Sequence, residues 1–237
     1  EAWHLAPVAR IRAFPNVIES PRLFFGSVDL LEVQALYSSE GVVLRVVWDD
    51  RTNSEGENAD HVYEDGDTTI YRGTDHPDQL AIQLPSRHDD RARPYFSFGD
   101  SRRPTNLWWW RADVDRTSVM VGRGAGRIAP VEGAQVQATV TFDDGRYTMI
   151  VRRAFSAGEQ ESELVPGAFV PIAFSVWDGD LGEAGLRRSL TGWNWLQLEP
   201  QTPVVAYVAP PVSFVVTLGL LLLLVRSTRK RSQRPPT

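Results

Sequence analysis

The sequence predicts a mainly β protein: an antiparallel β-sandwich ectodomain carried by a single C-terminal transmembrane helix. Three observations predict it. Short runs rich in Val, Ile, Thr and aromatic residues recur at close intervals, turn-forming residues separate them, and the stretch from Val204 to Val225 carries no charge. The chain has 237 residues, 42% hydrophobic and 23% charged, which is the composition of a folded domain with its own core.

In chain order, Val33 to Tyr37 alternates apolar and polar residues, and after Ser-Ser-Glu-Gly the run Val42 to Trp48 completes a hairpin. Asp49 to Asp60 reads as a polar loop, and Thr68 to Tyr71 and Leu80 to Leu84 as strands. Gln135 to Phe142 and Tyr147 to Val151 flank Asp143-Asp144-Gly145-Arg146, where Asp-Gly supplies the positive φ angles of a tight hairpin turn. Val170 to Trp177 is almost wholly apolar between Pro166-Gly167 and Asp178-Gly179, as in a strand buried on both faces. The resulting organisation is a sandwich over 1–196, a linker over 197–203, a transmembrane helix over 204–225 and a basic tail over 226–237.

The uncharged stretch is long enough to cross a hydrocarbon core of ~30 Å at ~1.5 Å per residue. Pro210 and Pro211 suit the first turn of a helix, which would leave Val204 to Ala209 in the outer interface, with Trp193, Trp195 and Tyr207 near an interfacial belt. Arg226, Arg229, Lys230, Arg231 and Arg234 follow with no acid among them, which places the C-terminus in the cytoplasm and the sandwich outside the inner membrane. Glu1 in place of Met fits removal of a signal peptide. The tail holds 5 of the 25 basic residues and none of the 30 acids, so residues 1–203 carry 20 basic against 30 acidic side chains, a formal −10. That balance argues against nucleic acid as a partner.

Absence of cysteine excludes disulfides, thiolate metal sites, iron–sulfur ligation and covalent c-type haem. His4, His61, His76 and His88 form no metal-ligand pair and read as exposed loop residues; Asp49-Asp50 and Asp89-Asp90 read as solvated turns, so no metal site is expected. Gly122-Arg-Gly-Ala-Gly126 lacks the strand-turn-helix context of a phosphate loop, and no nucleophile–base pair is evident, so no catalytic residue and no enzyme activity are expected. Trp108-Trp109-Trp110 alternates faces in a strand: Trp109 points opposite to its neighbours, which leaves one face for the core and the other for a partner, a carbohydrate or a cofactor.

Several segments, taken in order, resemble the haem b-binding gamma subunits of periplasmic molybdenum enzymes such as ethylbenzene dehydrogenase, dimethylsulfide dehydrogenase and nitrite oxidoreductase. They are Val33-Gln-Ala-Leu-Tyr, Val46-Val-Trp-Asp-Asp-Arg-Thr52, Gln79-Leu-Ala-Ile-Gln-Leu-Pro85, Pro94-Tyr-Phe-Ser-Phe-Gly-Asp100, Leu107-Trp-Trp-Trp-Arg-Ala112 and Asp144-Gly-Arg-Tyr. The most specific follow: Pro171-Ile-Ala-Phe-Ser-Val-Trp-Asp-Gly179, Gly182-Glu-Ala-Gly-Leu-Arg-Arg-Ser189 and Trp193-Asn-Trp. The resemblance implies an antiparallel sandwich that holds haem b between a methionine and a lysine. Phe98 and Arg187 stand at the matching positions here. A phenyl ring has no lone pair and a guanidinium keeps its proton, so no cofactor is expected at those positions. Met120 and Met149 are the only methionines, and the only lysine, Lys230, lies beyond the membrane span. Met149 reads as core; a methionine in place of Phe98, or two histidines, would be the non-standard route to haem.

The function that follows is a non-catalytic accessory subunit of a membrane-bound electron-transfer complex, respiratory or photosynthetic, in contact with other subunits and with lipid. The alternatives are a haem b carrier with non-standard ligands and a carbohydrate-type surface binding module that stacks sugar on Trp109.

Overall fold

Chain segments with period-two alternation pair into two antiparallel sheets whose inner faces share one core. The computed structural model describes residues 2–56, 76–87, 92–134, 136–155, 161–162, 164, 166–199 and 204–232. The run 68–71, His61, His88 and Asp89-Asp90 lie outside the described residues.

The smaller sheet contains β1 (Ala9–Arg12), β3 (Leu30–Tyr37), β4 (Gly41–Asp49), β9 (Gln137–Asp143) and β10 (Arg146–Ala154) in the order β1-β3-β4-β10-β9. Both hairpins read from the sequence are present, with Leu31 opposite Trp48 and Tyr147 opposite Phe142. Asp144 (φ +47°) and Gly145 (φ +71°) both take the left-handed conformation, the requirement of a two-residue turn whose twist matches its strands.

The larger sheet is built from β2 (Phe14–Pro15), β5 (Gln79–Pro85), β6 (Thr105–Arg111), β7 (Arg116–Gly122), β8 (Ile128–Pro130), β11 (Phe169–Trp177) and β12 (Ser189–Leu190). Its order is β2-β12-β11-β5-β6-β7-β8, and β13 (Asn194–Gln197) also pairs with β11. The short strands β1, β2, β8, β12 and β13 carry too few residues for alternation to announce them.

Between the sheets, Leu31, Leu44, Val46 and Met149 from one side pack in the same core as Leu80, Ile82, Trp108, Trp110, Phe174 and Val176 from the other. Trp48 stacks on Tyr147 at 4.9 Å, and Trp110 meets both rings edge-on at 6.2 and 5.4 Å, tying sheet to sheet. β10 buries one face only and β9 half-buries one, whereas β5, β6 and β11 are buried on both, because chain from 92–100 and 178–188 covers the outer face of the larger sheet. The sandwich unit ends at Leu198.

The second unit contains α1 (Val204–Ser232), which includes Pro210 and Pro211. The helix therefore starts ahead of the prolines, not at them. Neither proline has an N–H, so the carbonyls of Ala206 and Tyr207 lack their usual donors; Ser213 and Thr217 hydroxyls donate in turn to the carbonyls of Ala209 and Ser213. Val205–Arg226 is long and apolar enough to cross a membrane, with a mean hydropathy of 2.4 in its most apolar window.

Candidate functional site

The outer face of the larger sheet carries the positions where relatives are expected to hold haem. β6 sends Trp108 and Trp110 into the core and Trp109 outward, as alternation requires; β11 likewise sends Phe174 and Val176 inward and Trp177 outward. Ala81 of β5 pairs with Trp109 on one side and Ser175 on the other, and its small side chain leaves room for the two indoles to approach above it. They stack at 5.1 Å with an interplanar angle of 11°. Trp109 Nε1–H donates to Gln79 Oε1 at 2.9 Å and Trp177 Nε1–H to the Gly185 carbonyl at 3.0 Å, so both rings are held at their polar ends.

Phe98 closes this stack. Its ring lies 5.7 Å from Trp109 and 6.4 Å from Trp177, nearly parallel to both, and is 2% exposed. Gln83 aims it: the side-chain amide donates to the Phe96 carbonyl at 3.1 Å, and its Oε1 accepts the Phe98 N–H at 3.3 Å. Phe98 has φ +61° and Gly99 φ +74°, two successive left-handed residues. For a phenylalanine this conformation costs ~1–2 kcal/mol, because Cβ crowds the backbone.

Above the ring sits Arg188, not Arg187. The Arg188 guanidinium carbon lies 4.1 Å from the Phe98 centroid and 5.8 Å from that of Trp177. Although fully buried it is well partnered: Nε donates to Ser175 Oγ at 3.2 Å, Nη1 to the Gly185 carbonyl at 3.1 Å and Nη2 to Ser97 Oγ at 2.6 Å. Glu19 carboxylate stands 4.0 Å away, bonded to the Ser97 hydroxyl. Arg187 is one residue earlier, in a bridge with Ala184, and its buried Nε has no hydrogen-bond partner among the described residues.

At the two positions that the resemblance matches to haem ligands, the donor chemistry is that of a phenyl ring and a guanidinium. Position 98 offers carbon stacked on carbon beneath a cation, and position 187 offers a guanidinium that stays protonated, so these residues do not fit iron. Met149 is core, as its mid-strand position suggested, while Met120, opposite Leu107, packs against the outer cluster that contains Phe98 and Trp109. Trp109 is 4% exposed, so the expectation that it could stack on a sugar ring fails: Phe98 and Trp177 already occupy its surroundings.

Two further expectations are corrected. His4 is exposed as foreseen, but His76 is buried because its backbone lies against Gly179; a Cβ on Gly179 would come within 1.7 Å of the His76 carbonyl oxygen. Asp50, read as a solvated turn residue, is 5% exposed beside buried Asp78 and Asp178. Burial, followed by the charge of Asp78, pushes the Asp50 carboxyl up to about 8. Burial raises Asp78 to about 6 against the opposing hydrogen bonds from Ser54 and Gly179, and raises Glu183 to about 7. Tyr147, buried and donating to Asp78 at 2.7 Å, has its phenol held well above the usual range. Sequence reading missed Arg188, Trp177, Gln83 and this acid cluster; only Asp178, beside the distinctive Trp-Asp-Gly, carried a local signal.

The ethylbenzene dehydrogenase family profile matches residues 1–130, more than half of the chain. A protein of Haloferax mediterranei named "Putative respiratory nitrate reductase heme subunit ORF7" is 27% identical over 233 residues, covering 97% of this chain and 79% of its own. The chlorate reductase gamma subunit of Ideonella dechloratans is 28% identical across 83% of this chain and 76% of its own length. The dimethylsulfide dehydrogenase gamma subunit of Rhodovulum sulfidophilum is 25% identical across 72% of this chain, which spans 61% of that protein. The chain belongs to the ethylbenzene dehydrogenase family of haem b-binding gamma-subunit domains.

Proposed function

We propose that this chain is a non-catalytic accessory subunit of a membrane-bound electron-transfer complex, and that it holds the assembly together on the extracytoplasmic face without ligating haem at residues 98 and 187. The observation that carries this reading is Phe98: at the family's methionine position a ring without a donor is sealed between Trp109, Trp177 and the Arg188 guanidinium. Accessory membership in an electron-transfer complex follows from the named relatives, which are subunits of nitrate, chlorate and dimethylsulfide enzymes.

Two features support a role in contact. Phe14, Ile18, Phe24 and Phe25 are exposed within one N-terminal stretch, Phe25 to 90%, a concentration of apolar surface suited to a partner protein. The apolar span Val205–Arg226 supplies an anchor, and the basic residues after it favour a cytoplasmic C-terminus. Protease protection in spheroplasts, with a tag after Thr237, tests the orientation: a tag digested from outside would reverse it.

The absorption spectrum of the detergent-extracted protein tests the central claim. The expected result is no Soret band at stoichiometric haem. Met120, packed against the cluster that contains Phe98, favours one second reading, a haem b carrier with sulfur supplied from β7. A stoichiometric Soret band that shifts or vanishes in Met120→Leu would establish that reading and overturn the first.

A further inference from the structure

Three strand ends bring acids together at one end of the sandwich. Asp50 directly follows β4 of the smaller sheet; Asp78 directly precedes β5 and Asp178 directly follows β11 in the larger one. One carboxylate oxygen from each lies within 4.8 Å of the others, and the residues are 5%, 0% and 3% exposed. Among the described residues, no Arg or Lys forms an ion pair with any of the three.

Hydrogen bonds account for part of this negative charge. Asp78 Oδ1 accepts the Gly179 N–H at 2.8 Å, and Oδ2 accepts the Ser54 N–H and the Tyr147 hydroxyl, each at 2.7 Å. Asp178 Oδ1 accepts the Leu181 N–H at 3.2 Å, and Asp50 Oδ1 the Thr52 N–H at 3.1 Å. Asp50 Oδ2 is different: it is shut off from solvent and takes no hydrogen bond among the described residues. A carboxylate oxygen buried without a donor, beside two other buried acids, is strongly disfavoured unless a positive charge sits against it.

We propose that Asp50, Asp78 and Asp178 form a structural site for one hard divalent cation of calcium's size. The donors are all oxygen, which selects against metals that prefer nitrogen or sulfur. Calcium–oxygen distances of ~2.3–2.6 Å put opposed ligands up to ~5 Å apart, a span that accommodates the cluster. Such an ion would join the smaller sheet, through Asp50, to the larger, through Asp78 and Asp178. It would also fix the start of the 178–188 segment that delivers Arg188 to the aromatic stack. The site is independent of whether haem is bound on the outer face.

The full-length protein in detergent, dialysed against EGTA and then titrated with CaCl2 or MgCl2, provides the test. Elemental analysis of protein purified without chelator is expected to find one calcium per chain. EGTA is expected to lower Tm by roughly 5–10 °C, with calcium restoring it at concentrations where magnesium does not. Asp50→Asn keeps the side chain's shape and is expected to weaken the calcium response at least tenfold, whereas Asp49→Asn, one residue away but exposed, is expected to respond as the parent does. Asp178→Asn provides a second variant should Asp50→Asn fold poorly. No bound calcium together with a Tm unmoved by EGTA and calcium would overturn the proposal, as would a folded Asp50→Asn or Asp178→Asn protein that responds like the parent.

Discussion

The two buried polar regions of the sandwich treat charge in opposite ways. On the outer face, Arg188 is as deeply buried as any side chain in the molecule, yet Ser175, Ser97, Gly185 and Glu19 meet its guanidinium and two rings lie under it. At the end of the sheets, Asp50, Asp78 and Asp178 share a pocket of negative charge, and one oxygen receives no hydrogen bond among the described residues. The first region is complete with the chain's own atoms. The second is complete only with something added, a proton or a cation. Burial of a charge is therefore no guide to a site by itself; the state of its partners is.

The comparison is broken most sharply at its complete half. Arg188→Met keeps the volume but strips Glu19 and Ser97 of their buried partner, and is expected to cost ~3–5 kcal/mol in urea unfolding of the extracted protein. A loss below ~1 kcal/mol would mean that the network contributes little.

Next in size is a pH effect confined to the incomplete half. Asp50, Asp78 and Glu183 have folded values of about 8, 6 and 7, raised above their ordinary 3.8, 3.8 and 4.5. Groups raised in this direction stabilise the fold fully below about pH 4 and lose that contribution as pH climbs through their folded values. Protein held in EGTA is therefore expected to show a Tm several degrees lower at pH 8.5 than at pH 5, and Asp50→Asn is expected to flatten the decline. A flat profile in the parent would remove the contrast between the regions.

Phe98→Met should cost less than ~1.5 kcal/mol, because the two side chains are similar in volume and methionine adapts to aromatic surroundings. Combined with Arg187→Lys it returns both family donors, and the double variant reconstituted with haemin is expected to show a Soret band that the parent lacks. The smallest effect belongs to the surface: Asp49→Asn breaks the exposed pair with Arg146 and is expected to leave Tm within roughly 1 °C.

Much of the scaffold is legible in the sequence because its signals are local. Asp144-Gly145 dictates its turn, the apolar run 170–177 dictates a doubly covered strand, and period two separates Trp109 from Trp108 and Trp110. The sites are legible only in part. Phe98 and Arg187 follow from the resemblance, but which of two adjacent arginines reaches the ring depends on the 184–188 turn, where Ala184 pairs with Arg187 and turns Arg188 inward. Asp50 looks like any loop acid until chain far away in sequence, at 78 and 178, folds over it. His76 misleads for the same reason: its polar neighbours suggest water, while Gly179 allows another backbone to cover it.

The backbone at residue 98 has a consequence of its own. Its left-handed turn is held by Gln83 from a neighbouring strand and by Gly99 behind it, and not by the phenyl group it carries. The aim of the side chain is thus settled before its identity is. Exchanging the ring for another side chain at this point therefore changes what is presented to Trp109 and Trp177 without changing the direction in which it is presented.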